Sequence, residues 1–181
     1  MNSKKKMTVF LIIFILFLVI ASIFYRNLSK EIEPKSTKNT VEIVTAPDIN
    51  IINYDGNKIK LSQMFGKPIV MNFWASWCPS CKSEMPYFNS IYEEKNNEIT
   101  FMMVDLVDDK RETIETGTQL IEKEGYNFPV YFDVEQEAQR NYQVFSLPTT
   151  VFIDKNGQIN SIKKGKISEE NLRFEIDLIS K

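Results

Sequence analysis

The first pattern along the chain is an unbroken one. Residues 7–25, MTVFLIIFILFLVIASIFY, carry no charge, and as a helix they would reach roughly 28 Å, close to the hydrocarbon thickness of a bilayer. Lys4, Lys5 and Lys6 precede the run. The positive-inside tendency then keeps residues 1–6 cytoplasmic and sends the rest of the chain outward. The prediction is a transmembrane anchor over 7–25, with everything after it extracytoplasmic. A cleaved signal peptide is the rival, with Val19-Ile20-Ala21 as its cleavage site, but the apolar core is longer than such signals use. No cysteine lies at the end of the run or in 26–45, which argues against a lipoprotein anchor. Residues 26–45 are polar, mixed in charge and aperiodic, and read as a tether.

From residue 46 the pattern becomes that of a folded domain, 46–181. INIINYDGNKIKL offers two short strands around Asp55-Gly56, a hairpin signal. PIVMNFWA, 68–75, is a continuous apolar strand of the kind buried on both faces of a sheet. A helix follows from Cys78 to about Asn97, and ITFMMVDL, 99–106, is another buried strand. Asp109 with Glu112 marks a helix start and Gly125 its end. FPVYF (strand), EQEAQRNY (short helix), TTVFI (strand), a turn at Lys155-Asn156-Gly157 and QINSI (strand) come next. Ser168 caps a last helix with Glu169 and Glu170 in its first turn. The order predicts an α/β class protein, a central sheet covered by helices.

Charge changes the picture little. The formal net charge is -2, but residues 1–45 carry seven bases against three acids, which leaves 15 bases against 21 acids in 46–181, so the domain itself is acidic. That disfavours nucleic acid as a partner. The chain has no histidine and two cysteines, Cys78 and Cys81, so a zinc site lacks ligands and a c-type haem lacks its histidine, Lys82 standing in that place. No metal or cofactor is expected.

The cysteines sit where the apolar strand meets the helix. With Cys78 at the N-cap, Pro79 takes the first helical position, where its missing N–H costs nothing. The N–H groups of Ser80 and Cys81 then point at the Cys78 sulfur, and with the helix dipole they favour its thiolate. Cys81, three residues on, shares its face and can close a disulfide. So small a ring restrains the unfolded chain by only about 2 kcal/mol. The spacing suits electron transfer better than stapling: Cys78 attacks and Cys81 resolves.

These residues, with APDINI, GKPIVMNFWASWCPSCKSEMP, VFSLPTTVFIDKNG and the stretch 108–133, resemble the thioredoxin superfamily, and more closely the TlpA/ResA-like membrane-anchored thiol-disulfide oxidoreductases. The resemblance implies a thioredoxin-like fold, a central mixed sheet flanked by helices, with an N-terminal β-hairpin and a central α-β insertion. It implies a cis bond before Pro148, with the backbone of Leu147 pairing an extended substrate beside Cys78. Trp77, Pro79, Leu147 and Pro148 are the expected substrate-binding residues. Where thioredoxin keeps a buried aspartate this chain has Asn72, and Glu84 matches a family glutamate that would take over as proton acceptor beside the sulfurs. Pro86 is read as a structural kink. The resemblance further implies reduction of protein disulfides, for example in cytochrome c maturation, with electrons from a membrane thiol transporter of the CcdA/DsbD kind.

Alternatives stay open on the sequence. A disulfide-forming oxidase or isomerase differs only in reduction potential. A tethered peptide-binding or chaperone module would use the cysteines as a structural disulfide. A peroxidase would want Thr or Ser where Ala75 stands.

Overall fold

The computed structural model describes residues 3–31 and 44–181, which fall in two units, Met1–Glu42 and Ile43–Lys181. The described residues of the first unit form helix α1 (Ser3–Glu31), which exposes apolar side chains from Ile12 to Tyr25. It runs past the expected end at Tyr25, because extending an existing helix adds one hydrogen bond per residue without a new nucleation cost. Residues 26–31 are therefore helical rather than an aperiodic tether, residues 32–43 lie outside the described set, and Val44–Thr45 form a strand. Among the described residues no helix is long and apolar enough to cross a membrane. The described side chains begin at Phe10, inside the uncharged run.

The second unit is built on eight strands: β1 (Val44–Thr45), β2 (Asn50–Asn53), β3 (Lys58–Lys60), β4 (Ile69–Trp74), β5 (Thr100–Asp105), β6 (Val130–Phe132), β7 (Thr149–Ile153) and β8 (Gln158–Lys164). Four helices accompany them: α2 (Pro79–Lys95), α3 (Ile114–Glu124), α4 (Glu137–Asn141) and α5 (Glu169–Ile179). One sheet results, in the order β1-β8-β7-β4-β5-β6-β2-β3. β4, β5 and β6 are parallel, while β7 and β8 complete one side antiparallel and the β2-β3 hairpin completes the other. The sheet is helix-covered, as the element order predicted, and mixed, as the resemblance implied, and the hairpin turns at Gly56, whose φ of 83° suits glycine.

All six β4 residues are buried, and their alternation sorts the core. Val70, Trp74, Phe101, Met103 and Phe152 face α2, α3 and α5, meeting Met85, Phe88, Ile121, Leu172 and Ile176. Ile69, Met71, Phe73, Met102 and Val104 face the opposite side, under Ile49, Ile51, Leu61, Ala138 and Tyr142. The period of two along each strand gives a second core without any further strand. Asn72 shares the first face with Trp74, so its amide points under α2.

α3 begins later than the Asp109 start that the sequence suggested. Asp108 Oδ1 accepts from the N–H groups of Lys110, Arg111 and Glu112 at 2.9, 2.7 and 2.8 Å, making a separate turn in which Asp109 takes a φ of 56°. Thr113 is the actual N-cap, accepting from Thr116 N–H at 3.1 Å. Gly125 ends the helix in the left-handed region, as expected.

Inside α3, a Cβ at Gly117 would collide with Asp105 Oδ2 and come to 3.5 Å of Glu112 Oε1. Gly→Ala in a helix ordinarily stabilises by up to about 1 kcal/mol. Here the collision outweighs it, and Gly117→Ala is expected to lower stability by about 1–2 kcal/mol. Urea melts of the oxidised domain check this, and a more stable variant would contradict the close approach.

Candidate active site

β4 delivers the chain to the cysteines at its carboxyl end. Cys78 N–H donates to Ala75 C=O at 3.0 Å, closing the turn. Cys78 is then the N-cap of α2 with Pro79 first in the helix, as read from the spacing. The two cysteines form a disulfide with Cα atoms 5.3 Å apart. Cys81 N–H donates to Cys78 Sγ at 3.2 Å. Where the sequence suggested the Ser80 N–H, it is the Ser80 hydroxyl that lies 3.4 Å from the same sulfur. Cys78 is 3% exposed and Cys81 fully buried. The sulfur at the helix tip is thus both the better polarised and the nearer to solvent, which suits attack, and Cys81 sits behind it, which suits resolution.

Glu84 follows one turn after Cys81 on the same inward face and is also fully buried. Its oxygens are taken up by the protein: Asn72 Nδ2 donates to Oε1 at 3.0 Å and Ile167 N–H donates to Oε2 at 2.9 Å. Asn72 Nδ2 also donates to Thr150 Oγ1 at 3.0 Å. So Asn72, where thioredoxin has its acid, holds Glu84 in place. Burial pushes the Glu84 carboxyl up to about 7, against the opposing Ile167 N–H, the Asn72 amide and the Lys166 charge. A carboxyl near 7 is matched to proton exchange at neutral pH. A carboxylate buried under a helix and tied to the sheet differs from the solvated glutamate common on helix surfaces.

On the outer side, Trp77 is exposed and carries Arg111 stacked at 3.8 Å from its ring. Trp77 and Leu147 line one hollow of about 300 Å³ together with Leu106, Asp108, Gln139, Val144, Phe145 and Ser146. The Leu147-Pro148 bond is cis. Thr149 pairs with Phe73 in the antiparallel register, which sets Pro148 beside Trp74 at the end of β4. Pro148 is buried, Leu147 half-buried and Pro79 exposed. Pro86 lies within α2, which continues to Lys95.

Four features of the site carry little or no signal in the sequence. Ser80 as a donor to Cys78 was legible only as a hydroxyl two residues from a cap. Arg111 on Trp77 and Phe145, 86% exposed at the mouth of the hollow, left no local signal. Nor did the buried Asp105 and Glu112, the latter accepting from Ser76 Oγ at 2.7 Å.

A thioredoxin-like sheet with a closed cysteine pair at a helix tip defines the class of thiol-disulfide oxidoreductases. The chain belongs to the AhpC/TSA family, whose model matches residues 44–162. Thiol-disulfide oxidoreductase ResA of Geobacillus kaustophilus (strain HTA426) is 32% identical over 135 residues, covering 75% of this chain and 76% of its own. ResA of Bacillus subtilis (strain 168) is 28% identical over 177 residues, covering 97% and 96%. Among solved structures, a putative thiol:disulfide interchange protein DsbE from Chlorobium tepidum superposes with a TM-score of 0.69 at 25% identity, over 77% of this chain and 97% of that one.

Proposed function

We propose that this protein reduces disulfides of client proteins outside the cytoplasm, with Cys78 as nucleophile. The observation that carries this reading is the Cys78 sulfur at the N-cap of α2, accepting from Cys81 N–H with Cys81 bonded behind it. The Cys78 thiolate attacks one sulfur of a client disulfide, forms a mixed disulfide and expels the other client sulfur as a thiolate. Cys81 then gives its proton to Glu84, attacks Cys78 Sγ and expels the second client sulfur. Two electrons pass to the client and the pair ends as the disulfide. Trp77, Pro79, Leu147 and Pro148 are assigned to hold the client, whose extended backbone would lie along Leu147.

The run 7–25 is assigned as a single-pass anchor with 26–45 as its connection to the domain, because its uncharged length suits a bilayer and its lysines precede it. A membrane thiol transporter of the CcdA/DsbD kind is the assigned electron donor, and apocytochrome c the assigned client class. Likeness to proteins named thiol-disulfide oxidoreductase and thiol:disulfide interchange protein supports the exchange chemistry with protein thiols on which both assignments build.

Trapping tests it. Cys81→Ala is expected to accumulate covalent adducts through Cys78 that dithiothreitol releases, and mass analysis should find clients carrying reducible cysteine pairs. A midpoint potential near that of thioredoxin, about -270 mV, fits the reducing direction. A value near about -120 mV, that of a strong oxidant, overturns it and favours disulfide formation.

A further inference from the structure

Asp105 and Glu112 take no part in the chemistry above, yet they border it. Asp105 ends β5 opposite Trp74 in register, on the face that Phe101 and Met103 turn toward α2 and α3. Both residues are fully buried, and neither Asp105 oxygen nor Glu112 Oε1 has a hydrogen-bond partner among the described residues. Both carboxyls converge on Gly117, whose missing side chain makes room for them. Two ionised carboxylates so confined would repel in a medium that solvates neither. A proton kept on Asp105 resolves this by giving Glu112 a donor, and burial followed by the Glu112 and Asp108 charges pushes Asp105 up to about 9.

The pair is wired to the cysteine turn. Glu112 Oε2 accepts from Ser76 Oγ at 2.7 Å, and the preceding residue, Arg111, stacks on Trp77. Two adjacent residues of the insertion thus grip the two adjacent residues that lead into Cys78. We propose that protonated Asp105, hydrogen-bonded to Glu112, positions the Ser76-Trp77 turn ahead of Cys78, and that losing this proton releases the turn. Asp105 and Glu112 are positioning residues that act through Ser76 and Trp77. This rests on Cys78 being the reacting sulfur, as proposed above.

Other charged groups around the pair are few. Asp108 faces it from the same turn, α3 contributes the uncharged Gly117 and Ile121, and α2 brings Cys81 and Glu84 to that side of the sheet. Arg111 is turned to Trp77. Asp133 is occupied at the start of α4, accepting from Ala138 and Gln139 N–H.

The test uses the oxidised protein, in which neither cysteine titrates. Tryptophan emission of the wild type should show a transition within about a unit of pH 9 that Asp105→Asn lacks, tyrosine ionisation being common to both. Over the same range, the rate of disulfide reduction by dithiothreitol, normalised to its thiolate, should rise about fivefold in the wild type, equivalent to roughly 1 kcal/mol, and stay flat in Asp105→Asn. Ser76→Ala, which cuts the link without touching the carboxyls, should already reduce at the high normalised rate at pH 7. If Asp105→Asn does not fold, Ser76→Ala decides alone. Wild-type pH dependence in either folded variant overturns the proposal. Neither readout needs a client or a direction of electron flow, so failure here is separable from failure of the reductase reading.

Discussion

Cys78→Ser is expected to lower disulfide exchange by at least ~10³-fold, since the hydroxyl that replaces the sulfur stays protonated and cannot accept a client sulfur. The remaining thiol, Cys81, is fully buried and lacks the cap position. Cys81→Ser should behave differently: the first attack persists, turnover stops, and mixed disulfides build up. Insulin reduction followed by turbidity, with mass analysis of adducts, separates the two. Equal residual activity in both variants would show that the sulfurs are interchangeable, which the asymmetry at the helix tip denies. Loss of the disulfide itself should cost at most about 2 kcal/mol, because the ring is so short.

Glu84→Gln is the second large effect. The amide preserves the shape and an acceptor for Ile167 N–H but cannot take a proton from Cys81. A drop of about 10²-fold in resolution at pH 7 is expected, the scale of a lost general base. Stability should move the other way. The folded carboxyl holds its proton up to about pH 7, whereas in the unfolded chain it lets go near 4.5, so the native state binds more protons between these values. Its contribution to stability therefore falls as pH rises through that window and levels off above it. Asp105, raised to about 9, extends a similar decline to higher pH, so the comparison with Glu84→Gln is what isolates Glu84. Chemical denaturation at pH 4.5 and 7.5 reads this difference. A variant with wild-type exchange rates across pH 5 to 9 would reduce Glu84 to a structural role.

What could be read from the chain follows its local physics. The unbroken apolar run of β4, proline one residue after Cys78 and Asp55-Gly56 between short strands each specify a nearby geometry, and each was legible. Pro148 was placed by resemblance alone, since no local pattern distinguishes its isomer. The start of α3 was misread because the spacing of Asp109 and Glu112 imitates a capped start, whereas Asp108 closes a separate turn over 110–112 and Thr113 caps the helix. Asp105 closes an apolar strand and looks like a strand end meeting solvent. Its burial depends on Gly117 arriving from a helix twelve residues later. Asn72 likewise gains its meaning from Glu84, Thr150 and the sheet order, none of which a local window contains.

The Cys81 N–H, the Ser80 hydroxyl and the dipole at the start of α2 together make Cys78 an acidic, reachable thiol. Iodoacetamide alkylation of the reduced protein, followed against pH with the modified cysteine located by mass, measures it directly. Cys78 is expected to react first, with an apparent pKa clearly below the roughly 8.5 of free cysteine. Alkylation of Cys81 first, or a Cys78 profile at or above that of the free amino acid, would contradict it.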